Sequence, residues 1–131
     1  MGDESVSLFE RFVRTYQNSE VVFEENSLGS EMYIVYSGRV RIIKKAATGY
    51  TTTLATLGPG EFFGEMTLID NSPRSASAIA DEDNTRLVAL DKSRFMYLIR
   101  HQTEFALLIM GTLCRRLRDA NLRADGPYAC S

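Results

Sequence analysis

Histidine occurs once and cysteine twice in this chain of 131 residues, and that scarcity removes several chemistries at the outset. A roll that binds a catalytic metal usually offers two or three imidazoles with a carboxylate, and His101 stands alone. A nucleophilic triad fails for the same want of an imidazole, since neither Cys114 nor Cys130 lies in a Gly-rich turn. The two cysteines stand far apart without a Cys-x-x-Cys pair, so neither a disulfide framework nor a zinc or iron–sulfur site is expected, and a reducing cytoplasm fits best. Nowhere do about 18 uninterrupted apolar residues occur to span a bilayer. The opening "MGDESVSLFERF" is acidic and has no apolar signal core, and Val6 stands where a myristoylation start wants Ser or Thr. The chain therefore reads as cytoplasmic and unanchored. Charge of one sign is not in excess either: the formal net charge of -2 gives no global attraction to nucleic acid or anionic lipid, so any anion has to be recognised locally.

What is present is an ordinary globular composition, 44% hydrophobic and 24% charged, in a length that suits one domain spanning residues 1–131. From Ser5 to Tyr16, Val6, Leu8, Phe9, Phe12 and Val13 recur at mostly helical spacing and predict a short amphipathic N-terminal helix. From residue 20 to 91 the pattern changes to short β-rich runs, "EVVFEE", "EMYIVYSG", "RVRIIKKA", "TTTLATLG", "SASAIA" and "TRLVALD". Turn residues such as Ser37-Gly38 and Gly58-Pro59-Gly60 separate them, which argues for a mainly β fold, a sandwich, roll or barrel. A dinucleotide-type Gly motif and an alternation of strand with helix are both missing, against a parallel α/β sheet. Gly38 suits a tight turn with positive φ, and Arg39 and Arg41 alternate outward as charged strand faces.

After Leu90 the period becomes helical. Asp91 or Ser93 can cap a helix through "RFMYLIRH", and Thr103 with Glu104 can open a longer one through Arg123, placing the C-terminal helices at residues 92–124. Ala106, Met110, Leu113, Leu117, Ala120 and Ala124 form a heptad seam along it, suited either to its own roll or to the same helix of a second chain. The helix is expected to end at Gly126-Pro127 with no helix-turn-helix after it. Arg115, Arg116, Arg118 and Arg123 are basic, but Asp119 interrupts them and positive charge near a helix C-terminus is favourable anyway, so no nucleic-acid contact is expected from this chain.

The stretch from Phe62 to Ala76, "FFGEMTLIDNSPRSA", brackets an apolar segment with Glu65 and Arg74. They could bond to each other, as buried pairs commonly do. Their neighbours suggest a ligand instead. Gly64 precedes a segment that can turn helically, leaving the amides of Glu65, Met66 and Thr67 free to meet an anion. Arg74 adds a planar fork for a phosphate, Ser75 adds a hydroxyl, and the Glu65 carboxylate can accept from sugar hydroxyls beside that phosphate. The pattern asks for a sugar phosphate whose phosphate and free hydroxyl are close together.

With "YIVYSGRVRI", "LGPGEFFGEM" and "SPRSASAIA", the chain resembles a cyclic nucleotide-binding domain from about Leu8 to Arg123, the family of the catabolite activator protein, the regulatory subunits of cAMP-dependent protein kinase and the cyclic nucleotide-gated channels. The resemblance implies an antiparallel, jelly-roll-like β-roll flanked by helices and a phosphate-binding cassette for a 3′,5′-cyclic nucleotide. Its expected ligand set is Phe63, Gly64, Glu65, Met66, Thr67, Arg74, Ser75, Ala76 and Asn121. Gly64 and the amides after it would approach the cyclic phosphate, Glu65 would accept the ribose 2′-hydroxyl, Arg74 would neutralise a phosphate oxygen, and Ser75 with the Ala76 amide would complete the cradle. Asn121 is either a purine contact or a solvated helix residue, and Leu54 and Ile43 either line the pocket or pack the core.

The family often has Gly where Asn26 stands, a mild departure because Asn tolerates a left-handed backbone. Thr67 replaces a small residue frequent in the family. Some cGMP-preferring relatives carry Thr directly after the cassette Arg, so Ser75 leans toward cAMP, with cGMP as the alternative. The resemblance implies a non-enzymatic sensor that relays occupancy through its C-terminal helix, with that helix also able to join two copies. Two other readings stand beside it: a sensory fragment of a transcription regulator, and a roll that binds no nucleotide and serves as an interaction or dimerisation module.

Overall fold

The computed structural model describes residues 12–123. They form two compact units, one ending at Lys92 and one beginning at Ser93. In the first unit the chain runs β1 (Val13–Tyr16), β2 (Val21–Phe23), β3 (Glu31–Ser37), β4 (Val40–Lys45), β5 (Thr51–Leu57), β6 (Phe62–Phe63), α1 (Glu65–Asp70), β7 (Ser77–Ala80) and β8 (Thr85–Asp91). The β-rich runs of the sequence become β2, β3, β4, β5, β7 and β8. They assemble into two four-stranded sheets, ordered β1-β8-β3-β6 and β2-β7-β4-β5. The pairings are antiparallel, as in Ile34 opposite Val88 and Arg41 opposite Ile79.

Period-two alternation fills the space between them. Tyr33 and Val35 of β3, Leu87 and Ala89 of β8, Val40 of β4, Leu57 of β5, Phe63 of β6 and Ala78 of β7 form one buried cluster, with Tyr16, Val22, Phe23, Ile42 and Ala55 packed against it. Each large apolar side chain removed from water here contributes about 1.5–3 kcal/mol before conformational entropy is subtracted. Ile43 is half-buried on β4, whereas Leu54 is exposed on β5.

The helix expected from Ser5 through Tyr16 does not extend to its predicted end. Val13–Tyr16 is strand β1, paired with β8 from Val13 opposite Val88 to Tyr16 opposite Thr85. β-Branched Val13 and Thr15 suit a pleated surface, and pairing with a neighbouring strand outweighs the local spacing that suggested a helix. Residues 5–11 of that expectation lie outside the described residues. Strand β6, only Phe62–Phe63, was also not anticipated, because two residues carry no period.

The tight connection between β3 and β4 does use Gly38 at φ 91°, and a Cβ there would sit 2.7 Å from the Thr85 Cα. Asn26 stands in the left-handed region at φ 69°, a conformation that Asn tolerates better than most residues with a side chain. The charges at the start of β4 are paired, Arg39 just before it with Glu82 at 3.4 Å and Arg41 within it with Asp81 at 3.2 Å.

The second unit carries α2 (Lys92–His101) apart from its first residue, and α3 (Thr103–Arg123). Phe95 of α2 meets Phe105 of α3 edge to face, 6.1 Å between centroids. The expected seam divides. Ala106, Leu113 and Ala120 are half-buried beside fully buried Ile109, while Met110 and Leu117 are 54% and 62% exposed. Ala124 and the closing Gly126-Pro127 lie outside the described residues. His101 is exposed, its ring 4.4 Å from that of Tyr97. Among the described residues no helix is long and apolar enough to cross a membrane.

Candidate functional site

The segment from Phe63 to Ala76 leaves one sheet and enters the other. Phe63 ends β6 in the core, its ring stacked 5.4 Å from that of Tyr33. Gly64 then turns the chain with φ 81°, in space too tight for a side chain, since a Cβ would lie 2.8 Å from Arg74 Nη1. Helix α1 follows directly, with no side-chain cap on its first amides and with Glu65 in its first turn. Glu65, Thr67 and Leu68 face inward, while Met66 is 52% exposed.

Asn71, at φ 61°, closes α1 through its N–H to the Thr67 carbonyl. Asp70 accepts from the Ser72 N–H at 3.0 Å and from the Ser72 hydroxyl, bonds that hold its carboxyl below the ordinary 3.8. The chain then runs past the β2–β3 connection. The Arg74 N–H donates to the Ser27 carbonyl at 2.9 Å, and the Arg74 carbonyl accepts from the Asn26 N–H at 2.7 Å.

Arg74 is buried to 4% exposure. Its Nη1 donates to the Gly64 carbonyl at 3.0 Å and its Nη2 to the Glu31 carbonyl at 2.7 Å. The guanidinium carbon lies 4.1 Å from the centroid of the Phe23 ring, a cation–π contact, while buried Nε has no hydrogen-bond partner among the described residues. Burial pushes the Arg74 pKa down, opposed by Tyr33, Glu31 and Glu65 in that order. Two main-chain carbonyls orient this cation without neutralising it, and the nearby Glu31 carboxylate is engaged elsewhere. Arg14 binds it through two nitrogens at 2.8 and 2.7 Å, which raises the Arg14 pKa, and the Tyr33 hydroxyl donates to it at 3.2 Å.

Gly64, Glu65, Thr67, Arg74 and Ala76 are thus buried or half-buried within one segment that runs from the Gly64 turn through α1 to the start of β7. Ser75 is exposed and its carbonyl lies 3.4 Å from Lys44 Nζ. Asn121 is exposed on α3, in the second unit. Sequence reasoning missed Phe23, Gly29 and the Glu31 carbonyl, all of which touch the guanidinium. A backbone carbonyl and an empty Cβ position leave no residue-type signal, and Phe23 read as an ordinary strand residue.

The family model for the cyclic nucleotide-binding domain matches residues 13–102. The Cyclic AMP receptor protein of Thermus thermophilus is 44% identical over 123 residues, covering 94% of this chain and 56% of the relative. The crystal structure of the Thermus thermophilus catabolite activator protein superposes with a TM-score of 0.78 at 43% identity, over 91% of this chain and 56% of that one. The cAMP-bound and cGMP-bound forms of the EAL enzyme Bd1971 give TM-scores of 0.63 and 0.64 at 36% identity, over 82% and 81% of this chain and 29% and 28% of that one. This chain spans 56% of the length of its Thermus relative.

Proposed function

The chain belongs to the cyclic nucleotide-binding domain family, and from that premise we propose that it binds a 3′,5′-cyclic nucleotide, cAMP ahead of cGMP, and acts as a sensor rather than as a catalyst. The observation that carries this reading is Arg74, a desolvated cation held in a fixed orientation by carbonyls, with a buried Nε that has no hydrogen-bond partner among the described residues. A singly charged phosphodiester fits it, because an anionic oxygen compensates the cation and accepts charge-assisted hydrogen bonds. Gly64 and the first amides of α1 would approach the same phosphate, and Ser75 with the Ala76 amide would close around it. Glu65, buried in the first turn, would take the ribose 2′-hydroxyl.

The preference for cAMP draws on Ser75 and on the Thermus relative named as a cyclic AMP receptor. The Bd1971 structures in both liganded forms keep cGMP as the alternative. Signalling is a population shift relayed through α3, limited by the ligand's differential affinity for two states. The exposed Met110 and Leu117 suit pairing of α3 with that of a second copy.

The test is a melting curve with cAMP, cGMP and linear AMP. A ligand in about hundredfold excess over its Kd stabilises the folded state by about 2.7 kcal/mol, so one of the cyclic nucleotides should raise Tm and AMP should not. Arg74→Ala should weaken that nucleotide by about tenfold or more in titration calorimetry. No shift with either cyclic nucleotide would favour the interaction-module reading. A second reading, the sensory part of a transcription regulator, is favoured by the 56% span of the Thermus relative and is settled by the sequence of the complete gene.

A further inference from the structure

We infer that Gly29 is a positioning residue for the phosphate: the missing side chain at this position is the seat of the Arg74 guanidinium. The inference rests on the cassette being a cyclic nucleotide site. A Cβ built at Gly29 would overlap Arg74 Nη2 and lie 2.7 Å from both Cζ and Nε. The nearest atoms to that Cβ all belong to one guanidinium, and the Phe23 ring, 4.1 Å from Cζ, supplies a further wall of the same seat. With the Gly64 and Glu31 carbonyls fixing its nitrogens, the cation has its orientation set before any ligand arrives.

Gly29 differs in kind from the turn glycines. Gly38, Gly49, Gly60 and Gly64 have positive φ, and Gly29 does not, so the backbone there accepts an L side chain. At Gly38 an added Cβ would meet the main chain at Thr85 Cα. At Gly29 the nearest atoms are all the end of one long side chain, which has to leave its two carbonyl partners to make room. Gly29→Ala therefore displaces the ligand's cation from its seat without straining the main chain at residue 29, and its structural cost is that of losing the guanidinium's bonds to the Gly64 and Glu31 carbonyls.

The experiment measures the affinity of wild-type and Gly29→Ala protein for the bound cyclic nucleotide and for its two phosphorothioate diastereomers, in which sulfur replaces one or the other exocyclic phosphate oxygen. Nucleotide-free Tm is recorded alongside. Gly29→Ala should melt no lower than Arg74→Ala, bind about tenfold more weakly or worse than wild type, and bring the affinity ratio of the two diastereomers toward one. In an Arg74→Ala background the same substitution should cost nothing further, since its whole effect passes through that guanidinium. Wild-type affinity and diastereomer ratio in Gly29→Ala overturn the inference, as does an undiminished cost in the Arg74→Ala background. If Gly29→Ala fails to fold, Phe23→Leu removes the ring from the seat, and an unchanged diastereomer ratio there overturns it equally. A wild-type protein that binds neither cyclic nucleotide sinks the site reading itself, a result distinct from binding that persists without Gly29.

Discussion

Tyr33 stands between the core and the charged network around Arg74. Its ring stacks on Phe63 while its hydroxyl donates to Glu31, and burial pushes the phenol from its ordinary 10.0 up to about 12. In the unfolded chain the phenol ionises near the ordinary value; in the folded chain it keeps its proton for about two further pH units. The folded state is thus favoured below pH 10.0, and that advantage is lost as pH rises through about 12. Denaturant titrations across this range should show wild type losing about 2–3 kcal/mol more than Tyr33→Phe. Equal slopes for the two proteins would mean that the phenol titrates as freely folded as unfolded. The same network explains why Glu31, close to Arg74, contributes its carbonyl to that cation while its carboxylate goes to Arg14.

Among the elements, the β3–β4 connection shows how little freedom a two-strand turn has. Fully buried Thr85 donates its hydroxyl to the Glu82 carbonyl at 2.8 Å, and Gly38 lies directly over it at φ 91°. Gly38→Ala combines a strained backbone with a clash against Thr85 and should destabilise the fold by at least about 2 kcal/mol in chemical denaturation. A loss of a few tenths would show that the turn relaxes freely. Gly38 was legible because Gly between two alternating runs has one common use. The longer strands and both terminal helices were legible for a related reason: six or more residues display a period, and β3, β5, β8 and α3 are that long. Strand β1 was misread because four residues of it adjoin an apolar stretch of helical spacing, and only its partner β8 decides between the two. Of the candidate site, Glu65, Arg74 and Gly64 could be named from their chemistry and spacing. Phe23, Gly29 and the Glu31 carbonyl come from β2, the β2–β3 connection and β3, and enter the site only through the pairing of strands remote in sequence.

For the whole molecule, the second unit raises the question of assembly. Leu107, Met110 and Leu117 recur at helical spacing on α3 and are each more than half exposed, an apolar stripe that suits a second copy of the same helix. The proposed pairing should appear as a dimer in sedimentation equilibrium, and Leu117→Glu, which sets like charges against each other in a symmetric interface, should return single chains. A wild-type chain that sediments as a monomer at every concentration would reject the pairing. The anchoring of Arg74 also bears on how much this molecule can vary in length. Arg74 is tied to the β2–β3 connection twice by its main chain, at Asn26 and Ser27, and once more by the guanidinium lodged against Gly29. Surface connections ordinarily accept inserted residues. Here an insertion between Asn26 and Gly29 would slide the anchors of one residue out of step with each other, so this short connection is a place where deletions and duplications should be purged even though the roll itself could absorb them.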